Sequence, residues 1–123
     1  MLASLEMEER VREGIRLFNA HEFFVCHEVL EEVWTPEQGP RRLFLQSLIH
    51  VAVGFYHHSR GNPAGAIRQL RKALRKLSGY LPACEGIDTA RLYAEAQAVL
   101  RQIEMGSEVL EYPKIQLILE LDA

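Results

Sequence analysis

Apolar residues recur at helical spacing along most of this chain, and breakers divide it into five segments. Val11, Ile15 and Phe18 share one face of a first helix ending near Asn19. Ser4 is its expected N-cap, with an incomplete capping box because Met7 stands three residues later. A second helix is predicted from about Glu22 to Trp34, followed by the breaker Thr35-Pro36-Glu37-Gln38-Gly39-Pro40. The third runs from about Pro40 to Ser59, with Pro40 in its first turn. Gly61 ends it, Asn62 caps the next helix, and Pro63 takes that helix's first position. The fourth helix reaches about Ser78, and a loop spans Gly79 to Gly86. Asp88 caps a fifth helix, which Gly106 stops after Met105. Beyond Pro113 the period becomes two. Ile115, Leu117, Leu119 and Leu121 alternate with their neighbours, as in an extended segment lying on the bundle. Short loops between long helices imply antiparallel neighbours. The expectation is one all-α domain over residues 1–123, an irregular antiparallel bundle of five helices with an extended apolar C-terminal segment.

The third helix is apolar nearly all round, as buried helices are. Its polar exceptions are not scattered: Gln46, His50 and His57 fall within a sector of about 40° at helical spacing. On the second helix, Phe23, Cys26, Val29, Leu30, Val33 and Trp34 form an apolar arc. His27 lies inside that arc and Glu31, four residues on, lies at its edge. Glu28 and Glu32 point further round, towards solvent. Antiparallel packing of helices two and three would set His27 and Glu31 opposite His57 and His50.

Ionisable groups in apolar surroundings are costly unless paired, neutralised or bound. Two readings follow. One is a site: His27, Glu31 and His57 as the polar centre of a small-molecule pocket, with Glu28, Gln46 and His50 around it and Trp34 as a wall. In that site Glu31 orients His27 for acid–base or hydrolytic chemistry. Alternatively His27, Glu31 and His57 ligate a divalent metal with an open position for water. A site without any cofactor fits equally well, since the spelling here is neither HExxH nor HxxxH. The other reading is a satisfied internal polar network with no ligand.

The fourth helix is cleanly amphipathic. Arg68, Arg71, Lys72, Arg75 and Lys76 cover the face opposite Ala66, Ile67, Leu70, Ala73, Leu74 and Leu77. Such a face can hold an acidic partner or nucleic acid in a non-enzymatic interaction module. A formal net charge of −3 and the lack of interleaved aromatics weigh against nucleic acid, and a solvated, internally paired face is the simpler reading. The apolar tail is a further candidate, for homodimerisation.

Composition alters this picture little. Hydrophobic residues make up 48% and charged residues 25% of 123 residues, an ordinary globular balance. Cys26 and Cys84 lack CxxC spacing and read as free thiols of an intracellular protein. No basic-then-apolar leader and no run of about 18 apolar residues is visible, so a cytoplasmic protein without a membrane partner is expected.

Phe18-Asn19, Phe23-Phe24, His27-Glu28-x-Leu30-Glu31-x-x-Trp34, Leu45-Gln46-x-Leu48-Ile49-x-x-Ala52, His57 and Arg60-Gly61-Asn62-Pro63-x-Gly65-Ala66 together resemble the domain of unknown function 309 family. The resemblance covers roughly residues 15 to 80. It implies an all-helical fold and carries no established reaction. The matching motif positions are His27, Glu28, Glu31, Trp34, Gln46, His57 and Gly61. The chain departs from the family pattern at Val25, where a Glu is frequent, and at His50, where a Gln is. A metal site that used the carboxylate at position 25 would lack a ligand here.

Overall fold

The computed structural model describes residues 2–118, with side chains from Glu9 onward. Five α-helices follow in order: α1 (Leu2–Asn19), α2 (Phe23–Trp34), α3 (Arg42–Ser59), α4 (Pro63–Leu77) and α5 (Thr89–Glu104). A 3₁₀ turn at Ser78–Tyr80 extends α4. No β-strand forms among the described residues, and the all-α expectation holds.

The local signals act where they were read. Asn62 caps α4 by accepting the Gly65 N–H at 3.0 Å, and Pro63 occupies its first turn. Asp88 caps α5 through the Arg91 N–H at 3.0 Å. Gly61 and Gly106 take φ values of +76° and +71° after α3 and α5. Two starts differ. α1 begins at Leu2, so Ser4 lies inside it rather than capping it. α3 begins at Arg42, not Pro40: the Pro40 carbonyl accepts the Tyr80 hydroxyl at 2.9 Å, and helical bonding opens with the Leu45 N–H to the Arg41 carbonyl.

Helices adjacent in sequence pack on one another: α1 on α2, α2 on α3, α3 on α4, α4 on α5. α3 is the central element, with Phe44, Leu45, Leu48, Val51, Ala52 and Phe55 all fully buried. Close approach to α4 depends on Gly54, where a Cβ would stand 2.9 Å from Leu70 Cγ. Cys26 is fully buried against this core, and desolvation pushes its thiol up to about 12, leaving it protonated and inert.

The C-terminal segment closes the array. It leaves α5 and crosses back to α1, where the Asn19 carboxamide grips the Ile115 backbone. On the way Tyr112 packs on Phe23 and Phe55 with ring centroids 5.2 and 5.0 Å away. Its hydroxyl meets His58 Nδ1 at 2.7 Å, and burial raises the phenol above its ordinary pKa. The segment is extended, as expected, and bridges Ile87 antiparallel at Leu117. Its burial pattern is not the predicted one. Ile115 is buried, whereas Leu117, which bridges the buried Ile87 through its backbone, leaves its side chain 53% exposed. Leu119 and Leu121 lie outside the described residues.

Candidate functional site

α2 and α3 meet in a cleft of about 150 Å³ near the N-terminus of α2 and the C-terminus of α3. Phe23, Phe24, His27, Val53, Tyr56 and His57 line it. The antiparallel pairing therefore brings His27 and His57 to one place, as the pattern implied. The aromatic walls were not anticipated. Phe24 stands 5.1 Å from the His27 ring and 5.3 Å from the Tyr56 ring, and is 48% exposed. Its signal was the doublet Phe23-Phe24: adjacent helical positions diverge by about 100°, so when Phe23 enters the core Phe24 does not.

Each imidazole is oriented by its Nδ1. His27 Nδ1 lies 2.7 Å from the Phe24 carbonyl, which can only accept, so Nδ1 carries the proton. His27 Nε2 is left for other partners and lies 3.6 Å from Glu31 Oε1. His57 is set from α4. Asn62 Oδ1 accepts the Gly65 N–H, which fixes the carboxamide and turns its Nδ2 donor towards His57 Nδ1, 3.4 Å away. His57 then accepts at Nδ1, and its neutral form carries the proton on Nε2. Gly65 leaves room for this arrangement: a Cβ there would stand 2.6 Å from Asn62 Nδ2 and 3.1 Å from His57 Cδ2. Asn62 and Gly65 are thus part of the site's framework, read in the sequence only as a cap and a motif position.

The remaining candidates do not join this cleft. His50 faces α4, where Nδ1 meets Gln69 Oε1 at 2.7 Å and Nε2 accepts from Lys76 Nζ at 2.9 Å. Its pKa is lowered chiefly by desolvation; the Gln69 hydrogen bond opposes this, and Lys76, Lys72 and Arg75 each lower it by a smaller amount. The Gln46–His50–His57 stripe therefore lies on the α3–α4 seam, and only its last member reaches α2. Gln46 is half-buried and does not line the cleft. Glu28 is exposed. Trp34 is no wall of the cleft: the Arg42 guanidinium lies 4.1 Å over its ring and donates to its carbonyl at 2.9 Å. None of His27, Glu31, Gln46, His50 and His57 is fully buried, so the polar positions mark helix seams rather than a sealed interior.

The metal expectation does not match this geometry. Among the described residues no three His, Cys, Asp or Glu side chains converge closely enough to hold one ion. Glu31 approaches His27 from a half-exposed position and is not among the residues lining the cleft.

On the basic helix, Arg71 pairs with Glu104 of α5 at 2.6 Å, and Lys76 is occupied by His50. Arg68, Lys72 and Arg75 are exposed. No helix among the described residues is long and apolar enough to cross a membrane.

Two bacterial relatives match most of the chain. An uncharacterized protein of Bacillus subtilis (strain 168), YpuF, is 40% identical over 89 residues, covering 70% of this chain and 51% of the relative. An uncharacterized protein of Aquifex aeolicus (strain VF5) is 26% identical over 100 residues, covering 80% of this chain and 30% of the relative. The chain thus spans about half, or less, of the length of these relatives. The family described as Domain of unknown function (DUF309) matches residues 11–69, a stretch that contains α2, α3, the cleft and the Asn62–Gly65 support. Through this segment the chain belongs to the DUF309 family.

Proposed function

We propose that the cleft between α2 and α3 binds a small molecule and acts on it by acid–base chemistry. The observation that supports this most is the complementary setting of two imidazoles on one apolar cleft. His27, protonated at Nδ1 by its bond to Phe24, offers Nε2 as a base. His57, accepting at Nδ1 from Asn62, offers an Nε2–H as donor. A base and a donor held by separate supports are what proton transfer needs. Glu31 Oε1 lies 3.6 Å from His27 Nε2, at the edge of the cleft rather than on its lining. Phe23, Phe24, Val53 and Tyr56 supply the apolar contact area that a small ligand uses for affinity.

The test is a fragment screen by ¹H–¹⁵N correlation spectra on the wild type, His27→Gln and His57→Gln. Binders are expected to shift Phe24, Val53 and Tyr56 together, and to be lost in both variants while the melting temperature stays within a few degrees. A large loss of melting temperature in the variants, with no fragment shifting the cleft in the wild type, would make these histidines packing elements.

A second reading concerns α4. Arg68, Lys72 and Arg75 are exposed and make no ion pair among the described residues. A non-enzymatic module would use them to hold an acidic partner, and charge reversal at Lys72 and Arg75 would then abolish partner capture without touching the cleft.

A further inference from the structure

Next to the histidine cleft lies a second groove of about 290 Å³. It shares Phe23, Phe24 and Tyr56 with the cleft and adds His21, Glu22, Ser59 and Arg60. The Phe24 and Tyr56 rings, 5.3 Å apart, stand where the two spaces adjoin. One side of this pair of rings is mostly apolar. The other is lined by one acidic and one basic residue, Glu22 and Arg60.

Both charges sit on pinned backbone. The Glu22 N–H donates to the Leu17 carbonyl at 2.8 Å, and His21 before it holds a left-handed φ of +64°. His21 stacks on Phe23 at 5.6 Å, which fixes the turn between α1 and α2. The Arg60 N–H donates to the Tyr56 and His57 carbonyls, each at 3.1 Å, and its guanidinium rests 5.9 Å from the Tyr56 ring centroid. Ser59 donates to the Tyr56 carbonyl, leaving its oxygen lone pairs for a ligand donor. Neither Glu22 nor Arg60 has an ion-pair partner among the described residues.

We infer that the two spaces form one bipartite site for a small α-amino-acid-like zwitterion with an aromatic or apolar side chain. This rests on the reading of the cleft as a small-molecule site, without its acid–base step, and names the class of ligand held there. The side chain enters the His27–His57 cleft, whose volume matches an apolar cavity of about 150 Å³ that accepts benzene. The ammonium lies against Glu22 and the carboxylate against Arg60. A lone anion would meet the Glu22 carboxylate, and a lone cation the Arg60 guanidinium. A head with both charges satisfies both, which is why the zwitterion is the class selected.

The experiment is an NMR titration of the full chain with four probes: L-phenylalanine, 3-phenylpropionate, 2-phenylethylamine and benzyl alcohol. The zwitterion is expected to bind about tenfold or more tightly than either singly charged probe, since each charge-assisted contact contributes on that scale. Arg60→Gln should reduce L-phenylalanine affinity about tenfold and leave 2-phenylethylamine no weaker, and Glu22→Gln should do the reverse with 3-phenylpropionate. Both positions are exposed, so the variants should keep the wild-type melting temperature. Equal binding of all four probes, shifting Phe24 and Val53, would overturn the charged-head assignment and leave the cleft reading standing. Binding of none would overturn both.

Discussion

The Asn19 carboxamide closes on the backbone of Ile115: its Nδ2 donates to the Ile115 carbonyl at 3.0 Å, and its Oδ1 accepts the Ile115 N–H at 2.7 Å. One side chain at the end of α1 thus imitates a strand neighbour for a residue 96 positions away. Without it, α1 and the C-terminal segment would meet through packing alone, with two backbone polar groups left unpaired at a part-buried seam.

Asn19→Ala is therefore expected to destabilise the fold by about 1–3 kcal/mol, the range for leaving buried polar groups unsatisfied. Asn19→Asp should do no better. It keeps the acceptor for the Ile115 N–H but sets an anionic oxygen against the Ile115 carbonyl. Urea unfolding measures the loss, and amide exchange at Ile115 and Ile118 should accelerate in both variants. Wild-type stability in Asn19→Ala would mean that burial of Ile115 alone holds the segment.

At Gly65 two opposite effects compete. Alanine is the better helix former by about 1 kcal/mol. Its Cβ, however, would lie 2.6 Å from Asn62 Nδ2, and displacing Asn62 sacrifices a cap worth about 0.5–2 kcal/mol together with the orientation of His57. Gly65→Ala is expected to lower the melting temperature and to shift the His57 imidazole resonances. Asn62→Ala should shift the same resonances without introducing a clash. A stabilised Gly65→Ala with unmoved His57 signals would show that Asn62 yields freely.

Gly54→Ala tests the central packing. The added methyl would meet Leu70 at 2.9 Å between two fully buried helix faces, and overpacking of this kind costs about 1–3 kcal/mol. The second change Leu70→Val should recover part of that loss by returning volume at the same contact. Non-additivity in this double-mutant cycle is the readout. A purely additive result would mean that the strain is relieved elsewhere.

These residues also mark where the sequence was legible. Asn62, Pro63, Gly61 and Asp88 act over a few residues of chain, so their roles as caps and stops could be read directly. The stripe Gln46–His50–His57 was legible as a stripe, because it follows from helical periodicity. Which neighbour it faces was not, since that depends on how α3 is rotated between α2 and α4. Periodicity placed His50 opposite His27; packing placed it against Gln69 and Lys76. The cleft was half visible. His27 and His57 stood out as polar groups on apolar faces, whereas Phe24 lies off the apolar arc of α2 and Tyr56 is one apolar position on a helix that is apolar nearly all round. Glu22 and Arg60 are far apart in sequence and come together only because the α1–α2 and α3–α4 turns share one end of the bundle.

His50 gives the fold a pH dependence whose sign follows from its surroundings. Desolvation on the α3–α4 seam lowers its pKa from the ordinary 6.5, and Lys76, Lys72 and Arg75 lower it further, against the Gln69 hydrogen bond. The unfolded chain then binds the His50 proton at a higher pH than the folded chain does. Between the two pKa values the unfolded state carries more protons, so stability rises with pH. The contribution is complete above about pH 6.5. It is lost as pH falls from there to the folded pKa, and below that it is constant. Protonation also removes the acceptor at Nε2 that Lys76 uses, placing two cations 2.9 Å apart. His50→Gln, which offers Gln69 and Lys76 a neutral partner, is expected to flatten the dependence of the urea midpoint on pH between about 5 and 7.5, where unperturbed histidines titrate. An unchanged slope in that variant would mean that the His50 seam does not set the dependence.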